Sequence, residues 1–231
     1  RLLRRIRART SRRCALRRRC GTGVSGRRNE YLRALVARFD DAHADQVMPA
    51  YGRFAASAAA VSFPPWFYAA WQIGGLTPLV KKALTEEEVA RGEHVDARPI
   101  VGGEVDLRAI LSNLMDGVSE PLQDILWPQQ VAICVSGGIS HLIHGMTVLL
   151  ELHPDFVLVK LDLRNFFNVV SRSVMLRRWS EHPQLAHLLP FFHALLAGGS
   201  DILVDREGTR LFQGSPRPDS AEGGPQGWPP S

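Results

Sequence analysis

Lysine is almost missing from this chain: among 28 basic residues only Lys81, Lys82 and Lys160 are not arginine. A GC-rich coding sequence yields that bias without selection for guanidinium chemistry, so abundant arginine is not by itself a functional signal. Cysteine is scarce too. Cys14, Cys20 and Cys134 have neither the paired spacing of a zinc site nor the density of a disulfide framework, and a reducing compartment is the default expectation. No apolar run approaches the roughly 20 residues that cross a bilayer, and the Arg-rich start has no apolar centre of the signal-peptide kind. The expected setting is intracellular, nuclear or cytoplasmic, with no membrane partner. An organellar transit peptide, which is also Arg-rich and poor in acids, stays open.

What is present suffices for a folded domain. A chain of 231 residues that is 45% hydrophobic can bury a sizeable core, as one domain or as two halves of one. The formal charge of +5 is unevenly placed: residues 1–29 hold twelve arginines and no acid, while the remainder has more acids than bases. Residues 1–29 therefore read as a disordered basic arm. Arg12, Arg13, Arg17, Arg18 and Arg19 are its densest cluster, able to track phosphates of any nucleic acid by counterion release. Conceptual translation of non-coding sequence gives the same composition, and that alternative is open.

Residues 30–62 form a helical N-terminal segment, from the spacing of Leu32, Leu35, Val36 and Phe39 and the alanines of 55–60. The aromatics Phe63, Trp66, Phe67, Tyr68 and Trp71 surround Pro64 and Pro65, a pattern that more often staples a helix to a core than stacks on bases. Residues 76–82 and 97–101 read as two short strands of a hairpin, joined by the acidic insert 83–96. A helix over 104–118 carries Val105, Ile110, Leu111, Leu114 and Met115 inward, with Pro121 limiting its extent. Ser136, Gly137 and Gly138 lack the Gly-Lys-Ser/Thr of a phosphate-binding loop. A helix over 140–152 is expected to bury Leu142, Ile143, Met146, Leu149 and Leu150. Its His141 and His144 have a metal-compatible spacing but no third ligand. Leu185, Leu188, Leu189, Phe192, Leu195 and Leu196 give an apolar helix face stopped by Gly198 and Gly199. Residues 201–205 and 209–212 read as a second hairpin, and 213–231 is rich in Gly, Pro and Ser.

The most informative stretch is 156–168. Residues 156–161 are mostly apolar and favour β structure, which predicts a buried strand with Asp162 at its C-terminal end. Strand alternation would put Leu158, Lys160 and Asp162 on one face, an acid and a base on an open surface. A charge that simply ends a strand in water is the plain alternative.

Asp162, Asn165, Phe166, Phe167 and Asn168, continuing to Ser171 and Arg172, resemble motif A of reverse transcriptases, especially those of non-LTR retroelements. Residues 220–227, with Gly223, Gly224, Gln226 and Gly227, resemble motif B of the same family. Arg98, Pro99 and Ile100 resemble its fingers motif, so three motifs occur in family order. The resemblance implies an α+β fold, a partial right-hand polymerase with fingers at 63–135 and an incomplete palm at 136–231. It also implies template-directed DNA synthesis by two-metal nucleotidyl transfer, with Mg2+ or Mn2+ as cofactor and an RNA template, a DNA primer and deoxynucleotide triphosphates as partners.

By the same resemblance Asp162 is the catalytic metal ligand, and Leu163 offers a main-chain carbonyl beside it. Lys81, Lys82 and Arg98 match the residues that reach over the triphosphate, a task for which the planar, permanently charged Arg fork is suited. Phe167 matches the steric gate against a 2′-hydroxyl, and Gln226 and Gly227 match nucleotide contacts. Phe166 replaces the family's Ala, and Pro230 stands where a helix is expected. Motif C, with two aspartates, is not found among the residues after Asp162. The expectation is thus a reverse transcriptase truncated before motif C and inactive as this isolated chain. The alternative is a non-catalytic nucleic-acid-binding remnant that uses the Arg-rich arm.

Deleting residues 1–29 is expected to remove most nonspecific DNA or RNA binding and to flatten its dependence on salt. Titrations over a range of ionic strength check this, and unchanged binding by the deletion would place the affinity in the folded part.

Overall fold

A computed structural model describes residues 23–32, 44–80, 83–93, 97–163, 166–204, 219–220 and 223. The chain is α+β. Helix α1 (Ala44–Ala59) leads through the Pro64 and Pro65 turn into α2 (Pro65–Trp71), where proline at the first helical position has no amide hydrogen to leave unpaired. Strand β1 (Gly74–Val80) follows, then α3 (Glu86–Ala90) and β2 (Ala97–Gly102). The expected hairpin is present, with Gly75 opposite Gly102 and Val80 opposite Ala97. Its acidic insert is a short helix begun by a capping box: the Thr85 side chain accepts from the Glu88 amide while the Glu88 carboxylate takes the Thr85 amide.

Helix α4 (Val105–Gly117) agrees with the spacing of its apolar residues. Pro121 does not end helical structure there. It sits in the first turn of a new helix, α5 (Ser119–Leu126), where a missing N–H costs nothing. Helix α6 (Gly138–Leu152) starts at Gly137, whose φ of 67° is one that a side chain disfavours. A Cβ at Gly138 would collide with the Val131 carbonyl, so only glycine allows this approach. One helical turn, α7 (Phe166–Val169), precedes α8 (Arg172–Ser180). A 3-10 segment (Pro183–Leu188) then runs into α9 (Leu189–Leu196). Strands β3 (Ser200–Val204) and β4 (Asp219–Ser220) complete a sheet of order β2-β1-β3-β4. In it β1 and β3 are parallel and the other pairs antiparallel. Of the expected 201–205 strand, residues 201–204 are thus in β3. Its expected partner, 209–212, lies outside the described residues.

The core is helical. Tyr68 and Trp71 of α2 pack with Leu107, Ile110 and Leu111 of α4 and with Leu185, Leu188, Phe191, Phe192, Leu195 and Leu196 of the C-terminal helical pair. Phe191 and Leu107, absent from the sequence-based core faces, are 1% and 0% exposed. The aromatic cluster is the expected staple: Phe54, Phe63, Phe67 and Trp71 have ring centroids 4.5 to 6.3 Å apart. The Tyr68 hydroxyl donates to the Ala58 carbonyl at 2.9 Å, which satisfies the polar end of a buried ring.

Two expectations are corrected. The stretch read as a disordered arm is folded from Gly23 onward. Ser25 donates through its amide and hydroxyl to Glu104 at 2.8 and 2.6 Å, and Arg27 pairs with Asp106 at 2.7 Å. Those acceptors lie 79 positions away, beyond what local composition can register. Helix α6 forms, but Leu142, Ile143 and Leu149 are 43%, 62% and 46% exposed. Apolar spacing predicts a helix that gains by finding a partner, and the buried core described here does not include it.

Truncation of Leu111 to Ala is expected to cost about 2–5 kcal/mol. Leu161→Ala, at an 87% exposed position, should change stability by less than about 0.5 kcal/mol. Urea titrations of both variants check the pair.

Candidate functional site

Residues 156–163 have no regular structure. This overturns the buried strand: Val157, Val159 and Leu161 are 83%, 70% and 87% exposed, and Lys160 and Asp162 are exposed beside them. The reason is the nature of β structure. Strand propensity records how well a side chain fits a paired, half-covered surface, and this run pairs with none of the described strands. An open face bearing Lys160 and Asp162 beside the hairpin is overturned with the strand.

Asp162 and Leu163 thus lie in an exposed segment without regular structure. Phe166 and Phe167 follow on the α7 turn, 46% and 42% exposed, with rings edge to face at 6.0 Å. Phe167 is not a core aromatic; its ring is available to a ligand. Beyond it the chain turns at Val170, and the Ser171 side chain caps α8 by accepting from the Val174 amide at 3.5 Å.

The Asp162 and Gly223 stretches meet at that turn. The Gly223 amide donates to the Val170 carbonyl at 2.9 Å. Arg172, 6% exposed, donates Nε to the Gly223 carbonyl at 2.7 Å and Nη1 to the Gly198 carbonyl at 2.9 Å. Gly223 has φ 66°, so its backbone conformation calls for glycine, and the group it approaches closely is this turn. The sequence placed Arg172 at the end of the motif A stretch but assigned it no role. An arginine at a helix start, between Ser171 and Ser173, reads as a surface residue, and only the arrival of two distant carbonyls justifies burying it.

Arg98 stands opposite Leu79 in the hairpin backbone. Its side chain, together with Lys81, Lys82, Gln226, Gly227, Arg12, Arg13, Arg17, Arg18 and Arg19, lies outside the described residues. Of the expected site, Asp162, Leu163 and Phe167 are therefore the described residues, and all three are exposed.

Away from this turn, Tyr51 lies near the contact of Arg27 with Asp106. Burial holds the Tyr51 phenol above the ordinary tyrosine value, and the charge of Asp106 adds to the effect. Tyr51 accordingly stays neutral beside the Arg27–Asp106 pair.

Among the described residues no group of three or more His, Cys, Asp or Glu could hold a metal ion. His141 and His144 are exposed on α6. Two divalent cations bring about four positive charges and ask for many oxygen ligands, whereas the 156–163 run offers one carboxylate, Asp162, beyond the helix-bordering Asp155. These residues do not fit a two-metal centre, and no phosphoryl-transfer step is derived through one. Among the described residues no helix is long and apolar enough to cross a membrane.

Because Asp162 is exposed and ends no strand, Asp162→Ala is expected to shift stability by less than about 0.5 kcal/mol. A thermal melt that drops by many degrees would assign it a structural role instead.

No protein-family model matches the chain, and no curated protein matches it either.

Proposed function

We propose that this chain is part of a reverse transcriptase of non-LTR retroelement type, carrying fingers and part of a palm. The observation that carries the reading is the contact of Gly223 with Val170 and Arg172. Two stretches that resemble consecutive polymerase motifs are 51 positions apart at the Arg172 bond, yet they share one turn. The β1–β2 hairpin, with Arg98 in its second strand, supports it as the fingers element.

In the intact family the metal ions supply charge neutralisation for in-line nucleotidyl transfer. In this chain Asp162 holds a carboxylate toward solvent, and the exposed Phe167 ring bars a 2′-hydroxyl, which favours deoxynucleotides. Arg98 reaches the triphosphate, and Gln226 and Gly227 take the nucleotide and template side. RNA template, DNA primer and deoxynucleotide triphosphates are the proposed partners, with Mg2+ or Mn2+ as the cofactor of the intact family. The isolated chain is inactive, because one carboxylate balances only a fraction of the charge that two cations bring.

The second reading, a non-catalytic nucleic-acid-binding remnant working through the arginines of 1–29, is favoured by that same shortage of metal ligands among the described residues.

Photo-crosslinking with an azido-deoxynucleoside triphosphate in the presence of Mn2+ separates the two. The polymerase reading expects label in peptides 156–172 and 97–102, reduced several-fold by Asp162→Ala. Label confined to residues 1–29 would favour the remnant. Primer extension on an RNA template should give equal background for the chain and for Asp162→Ala, and incorporation lost on that substitution would overturn the proposed inactivity.

A further inference from the structure

Among the described residues, β3 and β4 pair at two registered positions, Ser200 with Ser220 and Asp201 with Asp219. The pairing is antiparallel, so the residues just before β3 and just after β4 emerge at the same end. Gly198 lies just before β3 and Gly223 just after β4, and Arg172 donates to the carbonyls of both. The same turn binds the other side of Gly223, through the Val170 carbonyl.

We infer that Arg172 is a positioning residue, a clasp that ties the two ends of the β3–β4 pair together and fixes the glycine-bearing segment against the turn that follows Asp162 and Phe167. The chemistry selects arginine for this. Its guanidinium is planar and permanently charged, and its Nε and Nη1 donors have a fixed relative geometry, so two carbonyls held by it are also held relative to each other. Lysine would carry the same charge on a single flexible nitrogen, able to reach either carbonyl without fixing both. At 6% exposure the guanidinium also lies where charged hydrogen bonds are little weakened by water.

The inference rests on the polymerase reading only for its consequence, that Arg172 sets the distance between Phe167 and the residues leading to Gln226. The clasp itself stands on the geometry alone.

Residue-resolved amide hydrogen exchange of the full chain tests it, comparing wild type with Arg172→Gln and Arg172→Lys. In Arg172→Gln the Gly223 amide should exchange on the order of 10- to 100-fold faster, the ratio that a charged hydrogen bond supports. Amides of Leu107, Ile110 and Leu111 should change less than about twofold. Arg172→Lys should recover part of the Gly223 protection. Unchanged exchange at Gly223 in folded Arg172→Gln would overturn the clasp. If Arg172→Gln does not fold, Arg172→Lys decides: selective opening at Gly223 supports the clasp, and equal acceleration at Gly223 and in the core overturns it. Binding of a fluorescent deoxynucleoside triphosphate is measured on the same samples. Selective opening at Gly223 in a chain whose wild type binds no nucleotide would keep the clasp and sink the polymerase reading.

Discussion

The edge of the Tyr68 ring meets Phe191 at a centroid distance of 6.5 Å, and both rings are 1% exposed. That contact joins residues more than a hundred positions apart and gives the N-terminal and C-terminal helices a common interior. Each large side chain removed from water there contributes about 1.5–3 kcal/mol, so a core of this size outweighs any single polar contact in the fold. The sheet depends on it as well. β1 leaves directly from the end of α2 and β3 from the end of α9, so packing these two helices together brings the two strands alongside in parallel register.

Around that core, two polar nodes tie down segments with little apolar surface of their own. At one, Glu104 and Asp106 hold Ser25 and Arg27 against the start of α4. Gly23 is part of the same node, since a Cβ there would come within 2.7 Å of the Glu104 carboxylate. At the other, Arg172 holds Gly198 and Gly223. Both nodes use charge-assisted hydrogen bonds, about twice as strong as neutral ones, and both link partners distant in sequence.

Helix α6 and the run 156–163 are apolar stretches with no such partner among the described elements. Ile139, Ile143, Leu152, Val157 and Leu161 are all more than half exposed. A helix completes its backbone hydrogen bonds within itself and forms regardless, whereas a strand cannot form alone. The same surroundings therefore leave α6 regular and 156–163 irregular.

Local signals were enough for α1, α4, α6 and α9 and for the β1–β2 hairpin, but not for α3, α5, α7 and α8. Apolar spacing located α4 and α6 and glycines marked the stop after α9, whereas the Thr85 capping box, with Thr and Glu three apart, went unread within the acidic insert. The residue types at Asp162, Phe167 and Gly223 were likewise legible as a pattern. Their arrangement was not. Whether 156–161 became a strand depended on an available edge, whether 23–29 was ordered depended on acids 79 residues away, and whether Arg172 was buried depended on the carbonyls of Gly198 and Gly223. Hydrogen bonds within a helix or a cap connect near neighbours and leave a periodic trace in the sequence. Pairing between strands and the burial of a charge are settled by what the rest of the fold brings alongside, and that information exists only once the chain has closed on itself.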